Sequence, residues 1–132
     1  MSGVVIDNSA AVLLSAQATF PLDGAPHYAP ELIDIEYASA LRKLVMRGTL
    51  EASEASQYIE DWSANSLIRC NHTMLLTRIW ALRNNITPYD ATYVALAEAL
   101  EVPLVTADRR LAHGAAAYCD VITVGDDGAE SL

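Results

Sequence analysis

The feature that most constrains this chain is an alternation of very short apolar runs with longer helical patterns. Val4-Val5-Ile6, His27-Tyr28-Ala29, Leu67–Cys70, Pro103–Thr106 and Val121–Val124 are each three or four residues long. A continuous run such as Val4-Val5-Ile6 suits a strand covered on both faces of a parallel sheet. Between the runs lie segments with 3- and 4-residue apolar periodicity. Parallel strands need a crossover of about a dozen residues or more, usually helical. The expectation is an α/β domain with a central parallel β-sheet of about five strands flanked by helices. One domain over residues 1–132 fits the length, with a polar tail from about residue 125.

Local chemistry sets the expected boundaries. Asn8-Ser9 offers capping oxygens before the apolar Ala10–Ala16. Pro21, Asp23 and Gly24 break the chain over Thr19–Gly24, which reads as a loop. Ile33, Ala40, Leu41, Leu44 and Val45 predict a helix over about Glu31–Arg47 that Gly48 stops. Ser53–Asn65 reads as amphipathic, with Tyr58 and Trp62 one turn apart. Thr73–Asn84 predicts a helix with Leu75, Leu76, Ile79, Trp80 and Leu82 facing inward. Thr87-Pro88 supplies an N-cap and a first helical residue for a helix running to about Leu100, with Asp90 at its third position. A short helix follows Asp108 and fades at Gly114.

Composition excludes several classes. No run reaches the ~18–20 apolar residues of a membrane span. The opening stretch has no basic segment and carries Asp7 within its apolar part, unlike a signal peptide. The two cysteines, Cys70 and Cys119, have no Cys or His neighbours at zinc-ligand spacing, so they read as buried thiols in a reducing compartment, the cytosol. With 17 acidic against 8 basic side chains the net charge is −9, which taken alone opposes nucleic-acid binding.

The acids themselves are unevenly placed. In open α/β sheets, ligands bind past the carboxyl ends of the strands at the point where strand order reverses. Asp7 ends the first expected strand and Asp108 lies two residues past the fourth. Glu36 and Asp90 stand near the starts of two expected helices, which can gather at the same edge. Each has an ordinary local role available, as a turn, cap or solvated helical acid. Gathered together, four carboxylates would repel one another and raise one another's pKa values. A hard divalent cation relieves that repulsion, and a site of acids without His or Cys favours Mg²⁺, with Mn²⁺ as a substitute, over zinc.

Read with their flanks, these residues resemble the motifs of PIN-domain ribonucleases. Val4-Val5-Ile6-Asp7-Asn8-Ser9 resembles the first motif, Asp34-Ile35-Glu36-Tyr37-Ala38-Ser39-Ala40-Leu41-Arg42 the second, Thr87-Pro88-Tyr89-Asp90-Ala91-Thr92-Tyr93-Val94-Ala95-Leu96-Ala97 the third, and Thr106-Ala107-Asp108-Arg109-Arg110-Leu111 the fourth. The match runs in order over about residues 4–124, and the length is similar to that of the VapC-type toxins of toxin–antitoxin pairs. The one departure is Asn8, where Ala or Thr is common. The resemblance implies Mg²⁺-dependent cleavage of RNA. It makes Asp7, Glu36, Asp90 and Asp108 both catalytic residues and metal ligands, with Ser9 and Thr106 in support. It further implies a homodimer and a VapB-type antitoxin that covers the site.

Rival readings are weaker. A haloacid-dehalogenase-type phosphatase needs an Asp two residues after the first, where Ser9 stands. A receiver domain needs an acidic pair and a lysine after its last strand, and Lys43 is the only lysine. A PIN-like fold kept as a catalytically weak binding module remains as the alternative. Against the acidic net charge, Lys43 and Arg47 fall on the helical stripe of Glu36, and Arg42, Arg109 and Arg110 are near the acids in sequence; these could form a basic rim. His27, His72 and His113 are scattered and read as structural. Tyr58 and Trp62 suit packing, as do Tyr89 and Tyr93.

Overall fold

The computed structural model of the protein describes residues 2–18 and 24–125. The expected loop at Thr19–Asp23 and the tail beyond Gly125 lie outside the described residues. Five strands form one all-parallel sheet: β1 (Val4–Ile6), β2 (His27–Pro30), β3 (Ile68–Cys70), β4 (Leu104–Thr106) and β5 (Val121–Thr123), in the order β3-β2-β1-β4-β5. The helices are α1 (Asn8–Ala16), α2 (Leu32–Met46), α3 (Ala52–Ser63), α4 (Leu76–Ala81), α5 (Pro88–Leu100) and α6 (Arg109–Ala115).

Strand β1 is central because its side chains tolerate cover on both faces; Val5 and Ile6 are fully buried. Val5 lies opposite Tyr28 of β2 on one side and Leu104 of β4 on the other. Order therefore reverses at β1: the chain leaves it toward β2 and β3, then returns to add β4 and β5 on the opposite side. The crevice past the ends of β1 and β4 is the switch point.

Helix α5 packs across β1, β2 and β4, and every residue from Ala91 to Ala97 is buried. Its small residues, Ala91, Ala95 and Ala97, let the backbone lie close to the sheet. Helix α1 packs against α2 and β4, and α6 against β4 and β5. Tyr37 of α2 stacks on Trp62 of α3 with ring centroids 4.1 Å apart, and the Trp62 indole N–H donates to Asp34 Oδ1 at 2.7 Å. Asp34 also receives the Arg69 guanidinium at 2.9 Å, tying α2, α3 and β3 together.

Four expectations need correction. The helix expected over Thr73–Asn84 is a 3₁₀ turn at Thr73–Leu75 followed by the short α4, which ends where Leu82 N–H is shared between the carbonyls of Arg78 and Ile79. Over so short a helix only one apolar stripe reaches the core, through Ile79 and Leu82. Leu76 and Trp80, expected inside, are exposed, and the Arg83 guanidinium covers the Trp80 ring at 4.6 Å. Tyr89, at the second position of α5, is also exposed, because the first turn projects beyond the sheet edge. Cys70 and Cys119 are half-buried free thiols rather than core ones, since Cys70 ends the edge strand β3 and Cys119 lies just before the edge strand β5.

Candidate active site

The site is built from chain reversals. Where β1 ends, Asp7 adopts an extended backbone and caps α1, its Oδ1 accepting from Ala10 N–H at 2.9 Å and from the Ser9 hydroxyl at 2.8 Å. Its Oδ2 accepts from the Thr106 hydroxyl at 2.5 Å. Thr106, the last residue of β4, is fully buried, and its oxygen accepts the Asp108 N–H at 3.0 Å. Ser9 Oγ accepts the Ala107 N–H at 2.9 Å and lies 3.2 Å from Thr106 Oγ1. The two switch-point strands are thus stitched by two hydroxyl oxygens, Ser9 Oγ and Thr106 Oγ1, around the Asp7 carboxylate.

Asp108 repeats the motif at the end of β4, capping α6 through Oδ1 with the Arg110 and Leu111 N–H groups. Asp90 sits in the first turn of α5, where its own N–H is capped by Thr87 at 3.3 Å. Its carboxylate has no hydrogen-bond partner among the described residues. Glu36, in the second turn of α2, accepts from the Tyr93 hydroxyl at 2.6 Å. Asn8 donates its Nδ2 to the Glu36 carbonyl at 3.3 Å, and its Oδ1 is buried without a partner.

The electrostatics tie the four segments together. Burial pushes Asp7 above the ordinary carboxylate range against its three hydrogen bonds, and the charge of Asp108 adds to the rise. Glu36 is raised first by burial, opposed by Tyr93, and then by the charges of Asp90 and Asp7. Asp90 is raised by burial and by Asp108. Burial and the neighbouring Glu36 push the Tyr93 phenol far up, so it stays a hydrogen-bond donor. The ion pairs among the described residues, Arg69–Asp34 and Arg78–Glu98, involve none of the four acids.

All four expected acids thus come to one edge, and Asp7, Glu36 and Asp90 each feel the charge of at least one other member. Among the described residues, however, no three acid, His or Cys side chains stand close enough to hold an ion as they are. The donor chemistry is all oxygen and carries excess negative charge, which suits a hard divalent cation. The orphaned Asn8 oxygen beside Glu36 adds one more acceptor without a donor.

A cleft of about 250 Å³ lies on one side of the acids, between Asp90, Asp108, Asn85, Thr87 and Arg110. A second, of about 320 Å³, opens from Glu36 and Asn8 along α2 past Ser39, Lys43 and Arg47. Arg42, expected near the acids, lies instead in a groove facing α3 with Val45, Met46 and Ile59, because it is one residue out of phase with the Glu36 stripe.

Sequence reasoning missed the role of Tyr93. Its position three residues after Asp90 on α5 signals that both side chains can reach the same edge, yet the apolar setting of the ring hides the polar task of its hydroxyl.

A doubly covered, all-parallel sheet with acidic side chains collected past its switch point defines the class, an α/β domain whose candidate site lies in that crevice. The chain is 40% identical over 124 residues to the VapC ribonuclease Mb0985 of Mycobacterium bovis, spanning 92% of this chain and 98% of that protein. Ribonuclease VapC9 of Mycobacterium tuberculosis gives the same figures, and ribonuclease VapC12 of that organism is 34% identical over 127 residues, 98% of its length. The chain belongs to the VapC family of PIN-domain ribonucleases. Its fold is shared by the crystal structure of PAE2754 from Pyrobaculum aerophilum, with a TM-score of 0.67, 25% identity and 85% of each chain covered. No protein-family model matches the sequence. Among the described residues no helix is long and apolar enough to cross a membrane.

Proposed function

We propose that this protein is the toxin of a type II toxin–antitoxin pair and cleaves RNA as a Mg²⁺-dependent endoribonuclease. The observation that carries the reading is the convergence of Asp7, Glu36, Asp90 and Asp108 at the switch point with three of the four raised by burial and like charge. Carboxylates gathered in a crevice and held above their ordinary pKa by burial and like charge are candidates for chemistry. The names of the relatives, all VapC ribonucleases, supply the substrate class.

Asp7, Asp90, Glu36 and Asp108 would hold Mg²⁺, and Mn²⁺ would serve in its place. Bound there, the cation supplies positive charge to the phosphate and a more acidic water. The chain's own part is to prepare the ligands. Ser9 and Thr106 fix Asp7 in one orientation, and Tyr93 fixes Glu36. Asp90 keeps its carboxylate free of protein partners. The protein works in the cytosol, as a homodimer, and is silenced by a VapB-type antitoxin that occludes the acids.

The test is incubation of antitoxin-free protein with RNA and Mg²⁺, beside Asp7→Asn and Asp90→Asn variants and an EDTA control. Cleavage by the wild type alone, abolished by EDTA, is the expected result. Equal cleavage by wild type and variants, or cleavage that persists in EDTA, refutes the mechanism. A wild type that binds RNA and leaves it whole makes the domain a binding module.

A further inference from the structure

The net charge of −9 poses a problem that the cleft along α2 answers. Glu36, Ser39, Lys43 and Arg47 follow one another at three- and four-residue steps, so they share one face of α2. Asn8 and Val12 of α1 form the opposite wall, and one end of the cleft is lined by Glu36, one of the four acids. Lys43 and Arg47 are exposed, and neither forms an ion pair with a described residue. Arg69 and Arg78, by contrast, are held by Asp34 and Glu98. Lys43 and Arg47 therefore place two uncompensated positive charges in the groove that leaves the site along α2, while Arg110 lines the cleft on the other side of the acids.

Spacing agrees with a polymer leaving the site. Along the helix axis Lys43 is about 10 Å and Arg47 about 16 Å from Glu36, one helical turn (about 5.4 Å) apart. That is the scale on which phosphates repeat along an extended single strand. The floor between them, Val12, Ala40 and Leu44, is apolar and offers nothing to compete for phosphate.

We propose that the α2 cleft is the phosphate-binding track for single-stranded RNA, with Lys43 and Arg47 each contacting one backbone phosphate beyond the scissile bond. The assignment rests on the ribonuclease reading of the acid site. Such contacts carry no base information and supply the affinity that an acidic protein otherwise lacks. They position the strand across the acids and are positioning residues, not catalytic ones.

The experiment measures binding of a fluorescein-labelled single-stranded 12-nucleotide RNA by anisotropy, in EDTA, across a salt series. Wild type is compared with Lys43→Ala/Arg47→Ala and with a charge-matched control, Arg42→Ala/Arg83→Ala, whose side chains face α3 and Trp80. Loss of two single-strand phosphate contacts flattens the slope of log K against log salt by about 1.4, at about 0.7 per contact. The expected result is that flattening for the cleft variant and a slope within error of wild type for the control. Equal slopes in all three proteins, equal flattening in both variants, or no RNA binding by wild type at low salt overturns the proposal. So does a cleft variant that binds RNA normally but no longer copurifies with the antitoxin, which assigns the groove to the protein partner. A parallel cleavage assay in Mg²⁺ separates the two readings: wild type that binds with the expected slopes but never cuts refutes the nuclease and leaves the track standing.

Discussion

Replacing Thr106 with valine tests whether the buried oxygen network holds the site together. Valine keeps the shape and the strand preference of threonine, so no cavity forms, and only the hydroxyl is lost. Two hydrogen bonds go with it, the 2.5 Å donation to the Asp7 carboxylate and the acceptance of the Asp108 N–H at 3.0 Å, together with the 3.2 Å contact to Ser9 Oγ. A hydrogen bond to a charged group contributes about 1.5–3 kcal/mol and a neutral one about 0.5–1.5. The variant should therefore lose about 2–4 kcal/mol near neutral pH, a large share of a typical ~5–15 kcal/mol total. The pH dependence carries the sharper signature. The Thr106 hydroxyl favours ionised Asp7 and so restrains a pKa that burial raises. Removing it lifts the folded-state pKa further, so the deficit between wild type and variant widens as pH rises through the Asp7 titration and narrows as pH falls below it. Urea unfolding of both proteins at about pH 7.5 and about pH 4, near the ordinary carboxylate range, reads this directly. A variant within about 0.5 kcal/mol of wild type near neutrality, the bound for an ordinary surface change, would refute the reasoning. An equal deficit at both pH values would refute the charge-assisted part. Thr106→Ser, which keeps the oxygen and loses a methyl, should restore the pH dependence at a cost of about 1 kcal/mol.

The remaining predictions concern other positions. Tyr93→Phe removes the donor to Glu36 and lets its carboxylate pKa rise further, so the acid limb of the RNA-cleavage pH profile should move to higher pH with little change on the alkaline side. Gly3→Ala should lower the melting temperature sharply: at φ +115° an added Cβ would meet Pro26 O and Tyr28 Cε2 at 2.8 Å. Such backbone strain costs on the order of 1–3 kcal/mol. Glu101→Gly should raise the melting temperature, because Glu101 closes α5 in the left-handed region at φ 57°. Glycine adopts that conformation without the roughly 1–2 kcal/mol that a side chain costs there.

Element order was legible because the strands are short runs between helical patterns, and β1 and β4 are apolar and followed by capping acids. Asp7 and Asp108 could be placed at strand ends, and Thr87-Pro88 announced α5 to the residue. What sequence could not supply was lateral order. Nothing in Val4–Ile6 says that β4 rather than β3 will lie beside it, and that neighbour is what brings Thr106 to Asp7 across 99 positions. Periodicity also fails in short helices: Leu76 and Trp80 fit an inward stripe on paper, but α4 is too brief to present more than Ile79 and Leu82 to the core. Arg42 illustrates the reverse. A one-residue offset, about 100° around a helix, separates it from the Lys43 cleft despite adjacency in the chain.

Two of the four acids do double duty as the residues that start helices. Asp7 and Asp108 each hold the first free amides of α1 and α6. Alanine scanning at these positions would confuse lost chemistry with a frayed helix, whereas asparagine keeps a capping oxygen while discarding the charge. It follows that, on the proposed mechanism, descendants of this protein that abandoned catalysis altogether would still be under pressure to retain Asp or Asn there, so an oxygen at 7 and 108 marks ancestry and folding, and Asp90, whose carboxylate caps nothing, is the residue whose loss would go with an idle enzyme.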